Sequence, residues 1–218
     1  MIGQAGAVWC PSSNLGLRRG GAVPDMIVIH YTAMAAAEAA RDWLCDPASG
    51  VSAHYVIARD GRLWQLAAEA ARAWHAGLGA WGGACDVNSR SVGIELDNAG
   101  TEPFSEPQMA VLERLLRGIM DRWGVPPERV FAHADTAVGR KIDPGPRFDW
   151  RRLARAGLAV WPGPGGDRGA DFEACARRAG YRWAPGQEAA LLAAVRARTR
   201  PFARGPLQAA DRAAISAL

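Results

Sequence analysis

The chain carries four imidazoles, His30, His54, His75 and His133, in 218 residues. Two of them close apolar runs, Met26-Ile27-Val28-Ile29-His30 and Val130-Phe131-Ala132-His133. A lone histidine at such a place reads most simply as a hydrogen-bonded core residue. The pair carries more weight because of Arg140-Lys141-Ile142-Asp143-Pro144-Gly145-Pro146, where Asp143 follows His133 by ten residues. Alternate positions of an extended segment share a face, so Lys141 and Asp143 point to one side. Two histidines and an aspartate suit catalytic zinc, which takes three protein ligands and keeps a position for water.

Two further groups belong with this set. Lys141 is the only lysine beside 25 arginines. A compact ammonium kept where the chain otherwise uses arginine fits a site that needs a point donor on a flexible stem; the plainer alternative is a surface survivor. Glu95 interrupts the apolar run Val92-Gly93-Ile94-Glu95-Leu96. A carboxylate buried there is costly unless paired or functional. It reads as a general base, with burial raising its proton affinity, or else as the partner of a buried arginine.

The elements that must position these groups are legible as patterns. Residues 26–31, 53–58, 62–66, 91–97 and 129–133 read as strands, with 62–66 returning antiparallel across the Arg59-Asp60-Gly61 turn. Residues 34–45 read as a helix. Ser105-Glu106-Pro107-Gln108 has the form of a capping box with proline in the first turn. It opens a helix that puts Met109, Leu112, Leu115, Leu116, Ile119, Met120 and Trp123 on one stripe and ends at Gly124. Residues 134–148 read as a polar loop, and a helix starts near Trp150. Trp161-Pro162-Gly163-Pro164-Gly165-Gly166 has the composition of a linker. Helical patterns follow near 170–179, 186–199 and 206–217, with Phe172, Cys175, Leu191, Leu192, Val195, Leu207 and Ile215 as a small core. A unit of that size is marginal alone and is expected to pack on the rest.

Composition excludes several classes. At 49% hydrophobic and 22% charged residues, the chain resembles an ordinary globular protein. No apolar run approaches the roughly 20 residues needed to span a bilayer. Residues 1–162 hold 17 basic and 17 acidic side chains, so the net +4 comes from nine arginines against five acids in residues 163–218. That bias is too small and dispersed to indicate nucleic acid. Cys10, Cys45, Cys85 and Cys175 form no CxxC pair and read as reduced, mostly buried thiols. Residues 1–10 lack the basic start and apolar core of an export signal. The expected location is therefore cytoplasmic, or periplasmic if the true start lies upstream.

Six blocks in order resemble the type 2 N-acetylmuramoyl-L-alanine amidases, the family that includes bacterial recycling and envelope amidases, phage amidases and animal peptidoglycan recognition proteins. They are Ile27-Val28-Ile29-His30-Tyr31, Val51-Ser52-Ala53-His54-Tyr55-Val56-Ile57, Arg72-Ala73-Trp74-His75-Ala76-Gly77, Val92-Gly93-Ile94-Glu95-Leu96, His133-Ala134-Asp135, and the stretch from Arg140 to Trp150. Aspartate at 143 places the chain with the bacterial recycling and envelope branch. The resemblance implies zinc held by His30, His133 and Asp143, proton transfer by Glu95, and an oxyanion stabilised by Lys141. It implies an α/β fold with a mixed central sheet flanked by helices.

On that basis residues 1–162 are expected to form the zinc amidase domain. Residues 163–218 are expected to form a small three-helix domain similar to peptidoglycan-binding modules, with only part of their aromatic pattern. The expected reaction is hydrolysis of the amide between the muramic acid lactyl group and L-alanine, in peptidoglycan or muropeptide fragments, by a monomer. Trp74, His75 and Tyr55 are expected to contact substrate, with Trp74 offering a flat face to a sugar ring. The alternative is a non-catalytic peptidoglycan-binding receptor on the same fold, but such proteins lose a ligand or a catalytic group, and this chain keeps all five.

Overall fold

The fold is seen in a computed structural model that describes residues 3–218. Met1 and Ile2, the start of the stretch inspected for an export signal, lie outside the described residues. In chain order the elements are β1 (Val8–Trp9), β2 (Leu15–Gly16), β3 (Met26–Tyr31), α1 (Ala37–Cys45), β4 (Tyr55–Ile57), β5 (Leu63–Gln65), β6 (Arg72–Ala73), α2 (Val87–Arg90) and β7 (Ser91–Leu96). There follow α3 (Glu106–Trp123), β8 (Val130–Ala132), α4 (His133–Thr136), α5 (Trp150–Arg155), α6 (Phe172–Ala179), α7 (Glu188–Thr199) and α8 (Ala209–Ser216).

Six strands form one mixed sheet in the order β1-β5-β4-β7-β3-β8. β4, β7, β3 and β8 run parallel, and β5 returns antiparallel to β4 as the turn chemistry requires. β3 is buried on both faces, which explains its unbroken apolar run. The amphipathic α3 supplies Met109, Leu112, Leu115, Leu116 and Ile119 to the core, each worth about 1.5–3 kcal/mol on burial. Its cap is half of the expected box. Ser105 Oγ accepts from the Gln108 amide at 3.4 Å. The Gln108 side chain turns away from Ser105 and donates to the carbonyls of Ile57 (2.8 Å) and Asp97 (3.2 Å), pinning the helix start to the sheet.

The short elements β1, β2, β6 and α2 were not expected, since two to four residues carry no readable periodicity. The strand expected through His133 stops at Ala132, because Asp135 Oδ2 accepts from the Ala132 amide at 2.9 Å and turns the chain into α4. Of the four cysteines only Cys175 is buried; Cys10 and Cys45 are half-buried and Cys85 is exposed. Helices α6–α8 form at the expected places, and Phe172, Cys175, Leu191, Val195 and Ile215 join the same core cluster as the sheet. Leu207 stays at the surface. Among the described residues no helix is long and apolar enough to cross a membrane.

A buried carboxylate ties the loop after β5 to the end of α3. Glu69 Oε1 accepts from Tyr55 Oη (2.6 Å) and Arg122 Nη2 (2.6 Å), and Oε2 accepts from Arg122 Nε (3.0 Å) and Trp123 Nε1 (2.6 Å). Burial alone would raise its proton affinity, but the hydrogen bonds from Arg122, Tyr55 and Trp123 outweigh it and hold the carboxyl below its ordinary value. A depressed pKa stabilises the fold above the unfolded value of about 4.3 and loses that contribution as pH falls through the lower, folded value. Urea unfolding between pH 6 and 2.5 should therefore show stability falling on the acid side. Glu69→Gln should be less stable at pH 6 and flatten part of that slope; an unchanged slope would remove Glu69 from the acid response.

Candidate metal centre and active site

The parallel strands β7, β3 and β8 end on one edge of the sheet, the edge where open α/β sheets place their ligands. His30 lies directly opposite Glu95 in the β3–β7 register, and Ile29 opposite Ala132 in β3–β8. Three neighbouring strand ends thus deliver His30, Glu95 and His133 together. Asp143 comes from the loop after α4, held there by the Ala134 amide donating to the Asp143 carbonyl at 3.0 Å.

His30 Nδ1, His133 Nδ1 and Asp143 Oδ2 converge at separations of 2.9, 2.9 and 3.1 Å, and all three residues are buried. The far side of each ring decides what these atoms are. His133 Nε2 faces the Ala76 carbonyl at 3.0 Å. A carbonyl only accepts, so this nitrogen carries the proton. His30 Nε2 faces His75 Nδ1 at 2.9 Å, and His75 Nε2 faces Ser91 Oγ at 3.1 Å. The Ser91 hydroxyl spends its one proton on the Val87 carbonyl at 2.6 Å. It therefore accepts from His75, which accepts from His30. Burial and the neighbouring His133 push the His30 imidazolium down to about 4, so the ring is neutral at pH 7. With the far-side nitrogen of each ring protonated, two imidazole lone pairs and a carboxylate oxygen face one another. That arrangement repels itself unless a cation sits at its centre, and its donor types fit zinc.

Beside this centre, one oxygen of Glu95 lies 4.0 Å from His30 Nδ1. The other, Oε2, is buried with no hydrogen-bond partner among the described residues. Burial first, then the Asp143 charge, raise its proton affinity well above that of an ordinary glutamate, and Lys141 opposes them. Lys141 is exposed beside Asp143, and both line a cleft of about 540 Å³ together with His30, His133, Glu95 and Trp74.

The substrate-contact expectations fare unequally. Trp74 and His75 line the cleft. Tyr55 does not and is corrected. It is fully buried on the sheet face opposite Glu95, being paired with Ile94, and its hydroxyl is committed to Glu69. Strand alternation, which sends neighbouring residues to opposite faces, is the reason. His54 is also buried. It accepts from the Gly93 amide at 2.9 Å and packs against Arg18, which itself binds the carbonyls of Glu69, Asn88, Ser89 and Ser91.

Several supporting residues escaped sequence reasoning. Asn88 Oδ1 accepts from the amides of His75 (3.1 Å) and Ala76 (2.8 Å), fixing the segment that holds His133. Arg140 clamps the same segment through the Ala76 and Leu78 carbonyls. Asp135 receives Tyr181 Oη at 2.8 Å and Arg198 Nη1 at 3.0 Å, so the C-terminal helices grip the turn that carries His133. Asp135 stood beside His133 in the sequence, but its partners lie 46 and 63 residues further on.

Comparison with known proteins agrees with the geometry. A family model described as N-acetylmuramoyl-L-alanine amidase matches residues 20–146. The chain is 40% identical over 153 residues to the N-acetylmuramoyl-L-alanine amidase AmiD of Escherichia coli, covering 63% of this chain but only 54% of AmiD. It is 32% identical over 165 residues to the 1,6-anhydro-N-acetylmuramyl-L-alanine amidase AmpD of the same organism, covering 68% of this chain and 90% of AmpD. Among solved structures, AmiD in complex with the substrate anhydro-N-acetylmuramic acid-L-Ala-D-gamma-Glu-L-Lys superposes with a TM-score of 0.82 at 33% identity, covering 89% of this chain and 88% of that one. AmpDH3 of Pseudomonas aeruginosa, in complex with anhydromuramic pentapeptide, gives 0.82 at 28% identity, covering 100% and 98%.

Proposed function

Because the chain belongs to the N-acetylmuramoyl-L-alanine amidase family, we propose that it is a zinc-dependent amidase that cleaves the bond between the muramic acid lactyl group and L-alanine in anhydromuropeptide fragments. The observation that carries the zinc and residue assignments is the convergence of three donor atoms, His30 Nδ1, His133 Nδ1 and Asp143 Oδ2, beside Glu95 Oε2, which has no partner among the described residues. The choice of anhydro fragments is supported by the ligands named in the AmiD and AmpDH3 structures. Residues 1–162 would carry the reaction, with 163–218 as a helical module packed against them, and nothing in the site calls for more than a monomer.

His30, His133 and Asp143 would hold the ion, which when bound supplies Lewis-acid polarisation of the scissile carbonyl and acidification of water. Glu95 takes the proton from the attacking water; burial and the Asp143 charge raise its proton affinity, and its Oε2 has no other partner among the described residues. The same carboxyl then delivers that proton to the leaving L-alanine nitrogen. Lys141, at the rim of the cleft, donates to the oxygen on which charge develops. Trp74 offers its ring to the sugar.

The test is chromatography with mass spectrometry after incubation with a soluble anhydromuropeptide, with zinc and with chelator, and in parallel with intact sacculi. Free stem peptide appearing only in the zinc sample is the expected result, and faster than from sacculi. Zinc bound but no cleavage of either substrate would replace this reading with that of a binding receptor.

A further inference from the structure

We infer that His75, backed by Ser91, is a positioning residue that sets the ring proton of His30 and thereby presents a bare Nδ1 to the metal. This rests on the zinc reading above and adds to it a role for a side chain that the cleft geometry alone would assign to substrate. The hydrogen-bond sense along the chain is settled at its far end. Ser91 Oγ is 2.6 Å from the Val87 carbonyl and 3.1 Å from His75 Nε2. The shorter contact takes the hydroxyl proton, because the carbonyl has none to give. Ser91 must then accept from His75 Nε2, leaving His75 Nδ1 as an acceptor 2.9 Å from His30 Nε2. The nitrogen of a histidine that meets a metal is set by the bond its other nitrogen makes.

The surroundings hold His75 to that task. Its ring stands edge-on to His30, with centroids 5.1 Å apart. It also lies flat against β7 at Gly93, where a Cβ would come within 2.4 Å of ring atom Cγ. Glycine at that strand position makes room for the imidazole, a requirement of close approach and not of backbone conformation. The backbone amide of His75 is fixed by Asn88 Oδ1 at 3.1 Å. A side chain that only touched substrate would need neither the ring-sized recess nor the serine behind it.

Zinc affinity by chelator competition, with the nitrogen-15 ring shifts of His30, separates the possibilities. His75→Ala is expected to weaken zinc binding by about 10–100-fold, the usual cost of losing a group that orients a ligand. His30 should then populate the other tautomer in the metal-free protein. His75→Gln can accept from His30 Nε2 with its amide oxygen and donate to Ser91 with its amide nitrogen, so it should recover most of the affinity. Should His75→Ala not fold, Ser91→Ala reads the same effect, as a smaller loss of the same sign. Wild-type zinc affinity and an unchanged His30 tautomer in the folded variants would overturn the inference. So would a raised KM with zinc affinity intact, which would make His75 a substrate contact. Failure of the wild-type chain to bind zinc at all would instead overturn the metal reading on which this stands.

Discussion

Replacing Glu95 by glutamine is expected to lower kcat by about 10²–10⁴-fold, the usual contribution of a positioned proton-transfer group, while one zinc stays bound. The substitution preserves size and leaves the His30, His133 and Asp143 donors in place. What it removes is, among the described residues, the only group beside them with a buried, unpartnered acceptor, Glu95 Oε2. A water held there would keep a neighbour but lose its base, and the departing amine would lose its acid. Because only the deprotonated carboxylate can act as base, the wild-type rate should fall on the acid side, and that limb should disappear in the variant. Steady-state kinetics on an anhydromuropeptide, with zinc content measured on the same sample, gives the answer. Near-wild-type turnover in a zinc-loaded Glu95→Gln protein would exclude Glu95 from proton transfer.

The second large effect is expected behind the cleft, at the turn that carries His133. Arg198→Met should destabilise the fold by about 3–5 kcal/mol, the cost of removing one partner of a buried ion pair. Arg198 in α7 and Asp135 in α4 are both buried. The guanidinium donates to Asp135 Oδ2 at 3.0 Å and to the Val130 carbonyl at 3.3 Å, and lies 4.2 Å from the centre of the Trp150 ring. Methionine would leave the Asp135 charge in a dry interface with Tyr181 and the Ala132 amide as remaining donors. Since Asp135 also turns the chain at His133, zinc affinity should fall together with stability. Arg204, exposed near the end of the chain, is the control. Arg204→Met should stay within about 0.5 kcal/mol, as surface changes usually do. Urea unfolding of both variants, with and without zinc, decides it. Equal midpoints would mean that the α7–α4 pair contributes nothing net.

The same pair shows why the C-terminal helices were only partly legible. Their existence followed from helical spacing, and Phe172, Leu191 and Val195 were correctly placed inside. Yet helical spacing carries no signal for the buried roles of Arg198 and Tyr181. Nothing local distinguishes Arg198, in contact with Asp135, from Arg204 at the surface. A charge is identified as buried only by what packs over it, and that comes from a segment 63 residues earlier.

The residues of the centre were legible because they sit in patterns that physics makes rare. A histidine closing a buried strand, a carboxylate inside one, and a single lysine two residues from an aspartate each demand an explanation within a few neighbouring positions. Strand alternation and the ends of parallel strands then suffice to bring them together. Tyr55 misled for a related reason. Its neighbour His54 shares the sheet face of Glu95, and Tyr55, one position on, points the other way. Only the register of β4 against β7 settles which residue of such a pair faces the cleft. The sequence by itself therefore determined the main strands, the long amphipathic α3, and the types of the donor atoms at the centre, because periodicity and side-chain chemistry are local; the mixed sheet was implied by the family resemblance. The tertiary structure alone decided which nitrogen of each imidazole faces the centre, that His75 stands behind His30, and that α7 holds Asp135. Those depend on hydrogen-bond partners and desolvation contributed by segments 13 to 63 residues away, which no local pattern records.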